Sequence, residues 1–157
     1  MSELNIEQVS LQDLDLLMHW RMIVLKEVFS LDAHEDLTEL YLQNKQYYEK
    51  TLSDNTHIAC FAKKEGKIVG CGGICLYSEM PSPDNLNGLC GYLMNIYVCP
   101  DMRRQKIGEA IVHFLIEQAR LREVKKITLE SSERGRKLYQ TIGFIEEQDM
   151  MILKDSQ

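Results

Sequence analysis

The sequence predicts an α/β (α+β) fold, a mixed central sheet of about six to seven strands flanked by about four helices. Three observations predict it. The hydrophobic rhythm switches repeatedly between strand-type alternation and helical periodicity, in the order βα-α-ββ-β-α-β-α-ββ. The composition, 45% hydrophobic and 27% charged, suits a globular protein with a buried core. The 157 residues also contain no internal repeat, low-complexity tract or Pro/Gly/Ser linker, so residues 1–157 read as a single domain.

Taken in order, residues 4–9 read as a short strand. Ser10, with Asp13 three positions on, resembles a capping box and opens a helix expected to reach about residue 29. Its apolar stripe, Leu14, Leu17, Met18, Leu25 and Val28, is interrupted by Arg21. A guanidinium there either lines a pocket or is a snorkelled or ion-paired structural group. Leu37, Leu40, Tyr41, Asn44, Tyr47 and Tyr48 follow a helical rhythm over residues 36–51. From residue 56 the pattern becomes β-branched and small, runs to 63, turns at Glu65-Gly66 and returns over 67–77, which predicts a β-hairpin. Both faces of these strands are apolar, so they belong in the middle of the sheet. Gly70, Gly72 and Gly73 mark a bulge or a close backbone approach.

Residues 78–90, with Pro81, Pro83, Asn85 and Gly88, form the long loop. A strand over 91–98 stops at Pro100. An amphipathic helix over 107–122 should bury Ile107, Ala110, Ile111, Phe114, Leu115, Gln118 and Leu121. A strand at 126–130, a helix at 133–142 ended by Gly143 and a terminal hairpin over 144–154 complete the series.

Charge and cysteine usage exclude several classes. A net charge of -6 argues against a nucleic-acid partner, which needs a basic face. The start, Met1-Ser2-Glu3-Leu4-Asn5, lacks a positive region followed by an apolar one, and no apolar run approaches spanning length. A cytoplasmic location without a membrane partner is expected. Cys60, Cys71, Cys75, Cys90 and Cys99 match no zinc spacing, and in one strand Cys71 and Cys75 stand roughly 13 Å apart, beyond a disulfide. They read as free thiols packed as small hydrophobes, with no metal site.

The chemistry concentrates after Pro100. A strand that ends in a cationic turn and enters a helix makes an anion seat, because the first helical amides have no intrahelical acceptor and the macrodipole is positive there. Arg103, Arg104 and Lys106 add three formal charges to it. Such a turn is either a small polyanion site or a solvated basic surface. It is neither a Walker A loop nor a dinucleotide fingerprint, since neither glycine pattern is present.

Val98-Cys99-Pro100-Asp101-Met102, followed by Arg103-Arg104-Gln105-Lys106-Ile107-Gly108, resembles the GNAT family of N-acetyltransferases, whose signature is [Gln/Arg]-x-x-Gly-x-[Gly/Ala]. Arg103 and Gly108 meet the outer positions, and Lys106 replaces the first glycine. Lys106 is expected in an ordinary backbone conformation. A second match, Tyr139-Gln140-Thr141-Ile142-Gly143-Phe144, resembles the family's Tyr-x-x-x-Gly-Phe segment.

The resemblance implies splayed central strands and an acetyl-CoA cosubstrate. The turn from Arg103 through Gln105 to Ile107, with Gly108, Glu109 and Ala110 opening the helix, would hold its phosphates. Backbone groups of Ile96, Tyr97 and Val98 would pair with pantetheine. Ser132 stands where many members carry an asparagine on that arm. Tyr139 resembles the family's acid toward the departing thiolate, and Glu130 and Glu27 are the nearest candidate bases. The implied enzyme is an acyltransferase that moves an acetyl group to a primary amine, on a small molecule or a peptide, by direct attack in a ternary complex, with a homodimer as the implied assembly. The competing reading is an acyl-CoA-binding regulatory module without efficient transfer.

Overall fold

Apolar runs gather five strands into one sheet in this computed structural model, which describes residues 3–155. They are β1 (Leu4–Gln8), β2 (His57–Lys64), β3 (Lys67–Ser78), β4 (Leu89–Val98) and β5 (Lys126–Leu129), in the spatial order β1-β2-β3-β4-β5. The first four pair antiparallel, and β4 pairs parallel to β5. Glu65 and Gly66 both adopt positive φ, 53° and 75°, so the turn carries the twist that a two-residue hairpin needs.

Helices α1 (Leu14–Val28) and α2 (Thr38–Ser53) cover one face of the sheet. There Leu17, Met18, Val24 and Tyr48 pack on Ala59, Phe61, Cys71 and Tyr97. Helix α3 (Ile107–Leu121) covers the other face, burying Ile107, Ile111, Val112, Leu115 and Ala119 against Ile58, Cys60, Ile74 and Leu93. The short α4 (Arg136–Ile142) packs beside α3. Two-sided coverage explains why β2 and β3 read as continuous rather than alternating apolar runs.

Five strands replace the six to seven expected, because residues 144–155 carry no strand. That segment offers no Gly or Asn-Gly at its middle to turn a hairpin, only Glu146-Glu147-Gln148-Asp149. Ile145, Met150, Met151, Ile152 and Leu153 are consequently exposed. Ser10 makes no capping bond to a helix amide; its hydroxyl reaches the Asp13 carboxylate at 3.4 Å and Leu11–Asp13 form a 3-10 turn. Leu121 and Val28, expected inside, lie past the last covered turn of their helices and are 70% and 64% exposed.

A bulge in β4 lies opposite the β3 glycines. Gly70 faces Val98 and Cys71 faces Tyr97, yet Gly73 faces Met94, so Asn95 and Ile96 together oppose Gly72. Asn95 takes φ 60° at that point. A Cβ on Gly72 would lie 2.5 Å from the Ile111 side chain and 3.0 Å from that of Ile96. The missing side chain thus lets α3 and the bulge close on the same spot.

Candidate active site

Strand β4 loses its partner halfway along. Its pairing with β5 runs from Cys90 with Lys126 to Leu93 with Leu129 and stops, while β4 continues to Val98. The splayed pair expected of the fold is therefore the Met94 to Val98 half of β4. Cys99 N–H donates to Val69 on the β3 side, so by alternation the amide and carbonyl of Val98 point to the open side. There Val98 O accepts from Arg103 Nε at 2.9 Å. Ile96 and Val98 share that open edge, with Tyr97 facing β3 between them.

The turn that follows is built differently from the expectation. Lys106 is left-handed, φ 62° and ψ 20°, at the N-cap of α3, and Arg104 is also at φ 65°. The ordinary conformation expected for Lys106 is corrected accordingly. The chain has to bend from β4 into α3 within a few residues, and a non-glycine residue held in this region costs about 1–2 kcal/mol. Left-handed residues interspersed with ordinary ones turn successive amides to one side and make an anion-binding concavity. The first helical bond runs from Ala110 N–H to Lys106 O, so the amides of Ile107, Gly108 and Glu109 have no acceptor within the helix. Free amides, the macrodipole and the exposed Arg104 and Lys106 fit a phosphate-bearing cosubstrate.

Side chains in this stretch divide by task. Arg103 turns inward, bonding Val98 O and pairing with Glu27 at 3.1 Å while lying over the Tyr97 ring. It ties the end of β4 to α1. Gln105 accepts from Lys64 Nζ at 3.0 Å, which brings a further cation to the turn from the end of β2. Lys64 had no sequence signal, because its approach depends on the β2–β3 hairpin ending beside the turn. Glu109 reaches forward to His113 at 3.7 Å, along α3 and away from the turn. Ile107 is buried in the core, and Gly108 packs against Leu138, where an added Cβ would stand 3.2 Å from the leucine methyl.

Tyr139 lies on α4, half-buried, edge-on to Phe144 and beside the backbone of Gly135, where a Cβ would meet its ring at 3.2 Å. Burial pushes its phenol above the ordinary range. With Leu129, Ser131 and Arg136 it lines a cavity of about 340 Å³. Ser132 does not face a partner strand; its hydroxyl accepts from Gly135 N–H at 3.2 Å and shapes the approach to α4. Glu130 is exposed at the end of β5 beside Tyr92, whose phenol is pushed up to about 12 by burial and then by that carboxylate. Glu27 is held below the usual carboxylate range by a hydrogen bond from Tyr97 and by Arg103. Among the described residues, no three His, Cys, Asp or Glu side chains gather to hold a metal ion.

A second cavity, of about 280 Å³, opens on the opposite face between α1, α2 and the bulge. Arg21, Asn44 and Tyr47 reach it from the helices, and His57, Cys75, Met94 and Asn95 from the sheet. The bulge puts the adjacent residues Met94 and Asn95 on one side, which regular alternation forbids. Tyr47 Oη sits 2.8 Å from His57 Nδ1 and 3.0 Å from Cys75 Sγ. Burial, and then the Arg21 charge, push His57 down to about 4, while burial raises the Cys75 thiol. This chain of groups is therefore neutral near pH 7 and supplies no thiolate nucleophile. Of these residues only Arg21 announced itself in sequence, as a cation breaking an apolar stripe.

With this geometry in place, the comparisons with known proteins agree on one class. The model of the acetyltransferase (GNAT) family matches residues 20–144, and the chain belongs to that family. Among solved structures it is similar to a predicted acetyltransferase from Clostridium acetobutylicum in complex with acetyl-CoA, at 24% identity and TM-score 0.85, covering 97% of this chain and 96% of that one. It is also similar to a GCN5-related N-acetyltransferase from Ralstonia eutropha, at 21% identity and TM-score 0.80, covering 97% and 99%. An aminoglycoside N-acetyltransferase, AAC(6')-Iy, in complex with CoA shares 16% identity at TM-score 0.75, covering 100% and 97%. At these identities the likeness is one of fold. No curated protein matches the chain.

Proposed function

We propose that the protein is an acetyl-CoA-dependent N-acetyltransferase acting on a primary amine by direct attack. The observation that carries this reading is the parting of β4 from β5 after Leu93 and Leu129, immediately before the left-handed turn and the free amides of α3. Amides of Ile107 to Glu109, with Arg104, Lys106 and Lys64, receive the phosphates. The open edge at Ile96 and Val98 pairs with the pantetheine amides as an added strand, and one amide there faces the thioester oxygen, where preorganised donors act on developing charge.

An alkylamine near pKa 10.4 must shed a proton before it can attack, and Glu130 at the end of β5 is assigned as the acceptor of that proton. The new C–N bond forms as the C–S bond breaks. Tyr139 stands toward the departing sulfur. A phenol near 10 giving its proton to a thiolate whose conjugate acid lies near 8.5 runs uphill by roughly 2 kcal/mol, and burial of Tyr139 steepens that slope. Tyr139 thus acts chiefly by donating a hydrogen bond to the sulfur as charge builds, and the thiol gains its proton on release.

Support for a homodimer comes from the open outer edge of β5 and the exposed apolar residues 150–153. Light scattering should return twice the chain mass. Five free cysteines suit a reducing compartment, which supports the cytoplasm. Among the described residues no helix is long and apolar enough to cross a membrane.

The test is thiol release from acetyl-CoA across a panel of amines. Amine-dependent CoA production, lowered about a hundred-fold in Tyr139→Phe, is the expected result. Saturable acetyl-CoA binding with no amine-dependent release would favour the acyl-CoA-binding regulatory module.

A further inference from the structure

The cavity between α1, α2 and the β4 bulge contains a cation without an anion. Arg21 is half-buried, and its guanidinium points between two side-chain amides: Nε donates to Asn44 Oδ1 at 2.8 Å and Nη1 donates to Asn95 Oδ1 at 2.9 Å. Asn44 is itself fixed by donating to Leu40 O at 2.9 Å, so its carbonyl oxygen is held toward the arginine. Neither amide neutralises the charge. Among the described residues no carboxylate lies within ion-pairing distance of Arg21, and the cavity lining contains no Asp or Glu.

Neither structural account of this arginine therefore applies. It is not ion-paired, and its head turns into the cavity rather than out to bulk water. The remaining lining is Gln43, Tyr47, Tyr48, His57, Cys75 and Met94, none of them charged, since burial keeps the His57 imidazole neutral. His57 turns its Nδ1 to Tyr47 Oη, and its buried Nε2 faces the backbone of Gly73 rather than the cavity, so Arg21 is the polar group left for a ligand. A partly desolvated charge without a counter-charge is costly, and a ligand that supplies one recovers that cost. The planar guanidinium, with donors to spare on Nη1 and Nη2, matches a carboxylate in a two-point contact.

We propose that this cavity is the acceptor site and that it takes small amino carboxylates, the carboxylate received by Arg21 and the apolar body lying on Tyr47 and Met94. The assignment rests on the acetyl-transfer reading above. It follows from position as well as charge, because Met94 and Asn95 line the cavity and also begin the unpaired half of β4. A carboxylate at Arg21 leaves the amine directed to that open edge. The same features exclude polycationic amino sugars: about 280 Å³ is at the small end for ligand cavities, and the only formal charge in the lining is positive. Acceptor chemistry here thus departs from that of the aminoglycoside N-acetyltransferase of similar fold.

The test separates binding from turnover. With CoA present, N-acetylleucine and N-acetylleucinamide, which differ only in the charge of the carboxyl group, are titrated calorimetrically into the intact chain, and leucine and leucinamide are compared as acceptors in CoA release. The expected result is at least a ten-fold preference for the acid in both assays, which is about the effect of one charge-assisted contact. Arg21→Gln should abolish the preference, and Arg21→Lys, which keeps the charge, should retain part of it. Equal binding of acid and amide by the unsubstituted chain, or a preference that survives Arg21→Gln, overturns the proposal. Selective acid binding without CoA release would instead sink the transfer reading and leave the carboxylate site standing. Release with leucinamide as good as with leucine would do the reverse.

Discussion

The two halves of β4 obey different rules. From Cys90 to Leu93 the strand is paired on both sides, to β3 and to β5, and Cys90 and Leu93 are buried. From Met94 to Val98 it keeps β3 alone, bulges at Asn95 and ends in a turn with two left-handed non-glycine residues. One half satisfies its backbone internally and contributes stability. The other leaves polar backbone unsatisfied and strain unrelieved, which a fold retains where a ligand completes it. The proposed cosubstrate site therefore lies where regular structure stops.

If the halves differ in this way, substitutions should divide by half, and the effects can be ordered. Leu93→Ala, in the paired half, should cost about 2–5 kcal/mol of stability, read as a lowered urea midpoint, with the acetyl-CoA KM of the folded fraction unchanged. Next is the acid limb of stability. His57, beneath the second cavity, is depressed in the folded state from 6.5 to about 4, so the unfolded chain binds the extra proton between those values. Its contribution is complete above pH 6.5 and is lost as pH falls toward 4, on the order of 3 kcal/mol, and His57→Gln should flatten that slope in urea titrations at stepped pH.

Tyr139→Phe should leave the unfolding free energy from urea titration within about 1 kcal/mol and lower turnover about a hundred-fold, a split that no substitution in the paired half should reproduce. Arg104→Ala should weaken acetyl-CoA binding by roughly five- to ten-fold at low salt, with the difference shrinking as salt is raised, since the side chain is exposed. Smallest is Lys106→Gly, which relieves the left-handed strain and should raise the unfolding free energy read from urea titration by up to about 1 kcal/mol while removing one charge from the turn.

What sequence could show follows the same division. The paired core was legible: β2 and β3 from their two-sided apolar runs, the Glu65-Gly66 turn from its residue types, and α3 from its stripe. Charge at Arg104 and Lys106 was legible too, but their left-handed backbone was not, because neither residue type advertises positive φ. The inward turn of Arg103 depends on Glu27, far away in the chain and brought near only by α1 crossing the end of β4. Asn44, His57, Cys75 and Asn95 each read as ordinary alone. Only the β4 bulge opposite Gly72 assembles them, and the three glycines, read as a bulge or close approach in their own strand, did not show that the extra residue lies in β4. The terminal hairpin failed for a different reason: apolar residues 150–153 have strand character, but no turn signal precedes them and they pair with no strand.

Amide hydrogen exchange with and without acetyl-CoA addresses the difference between the halves most directly. Peptides covering Cys90 to Leu93 should be protected in both conditions, since both edges are already paired, whereas peptides covering Asn95 to Val98 and Ile107 to Glu109 should gain protection when acetyl-CoA is added. Protection confined to other segments, with the open half of β4 exchanging equally in both conditions, would contradict the placement of the cosubstrate along that edge.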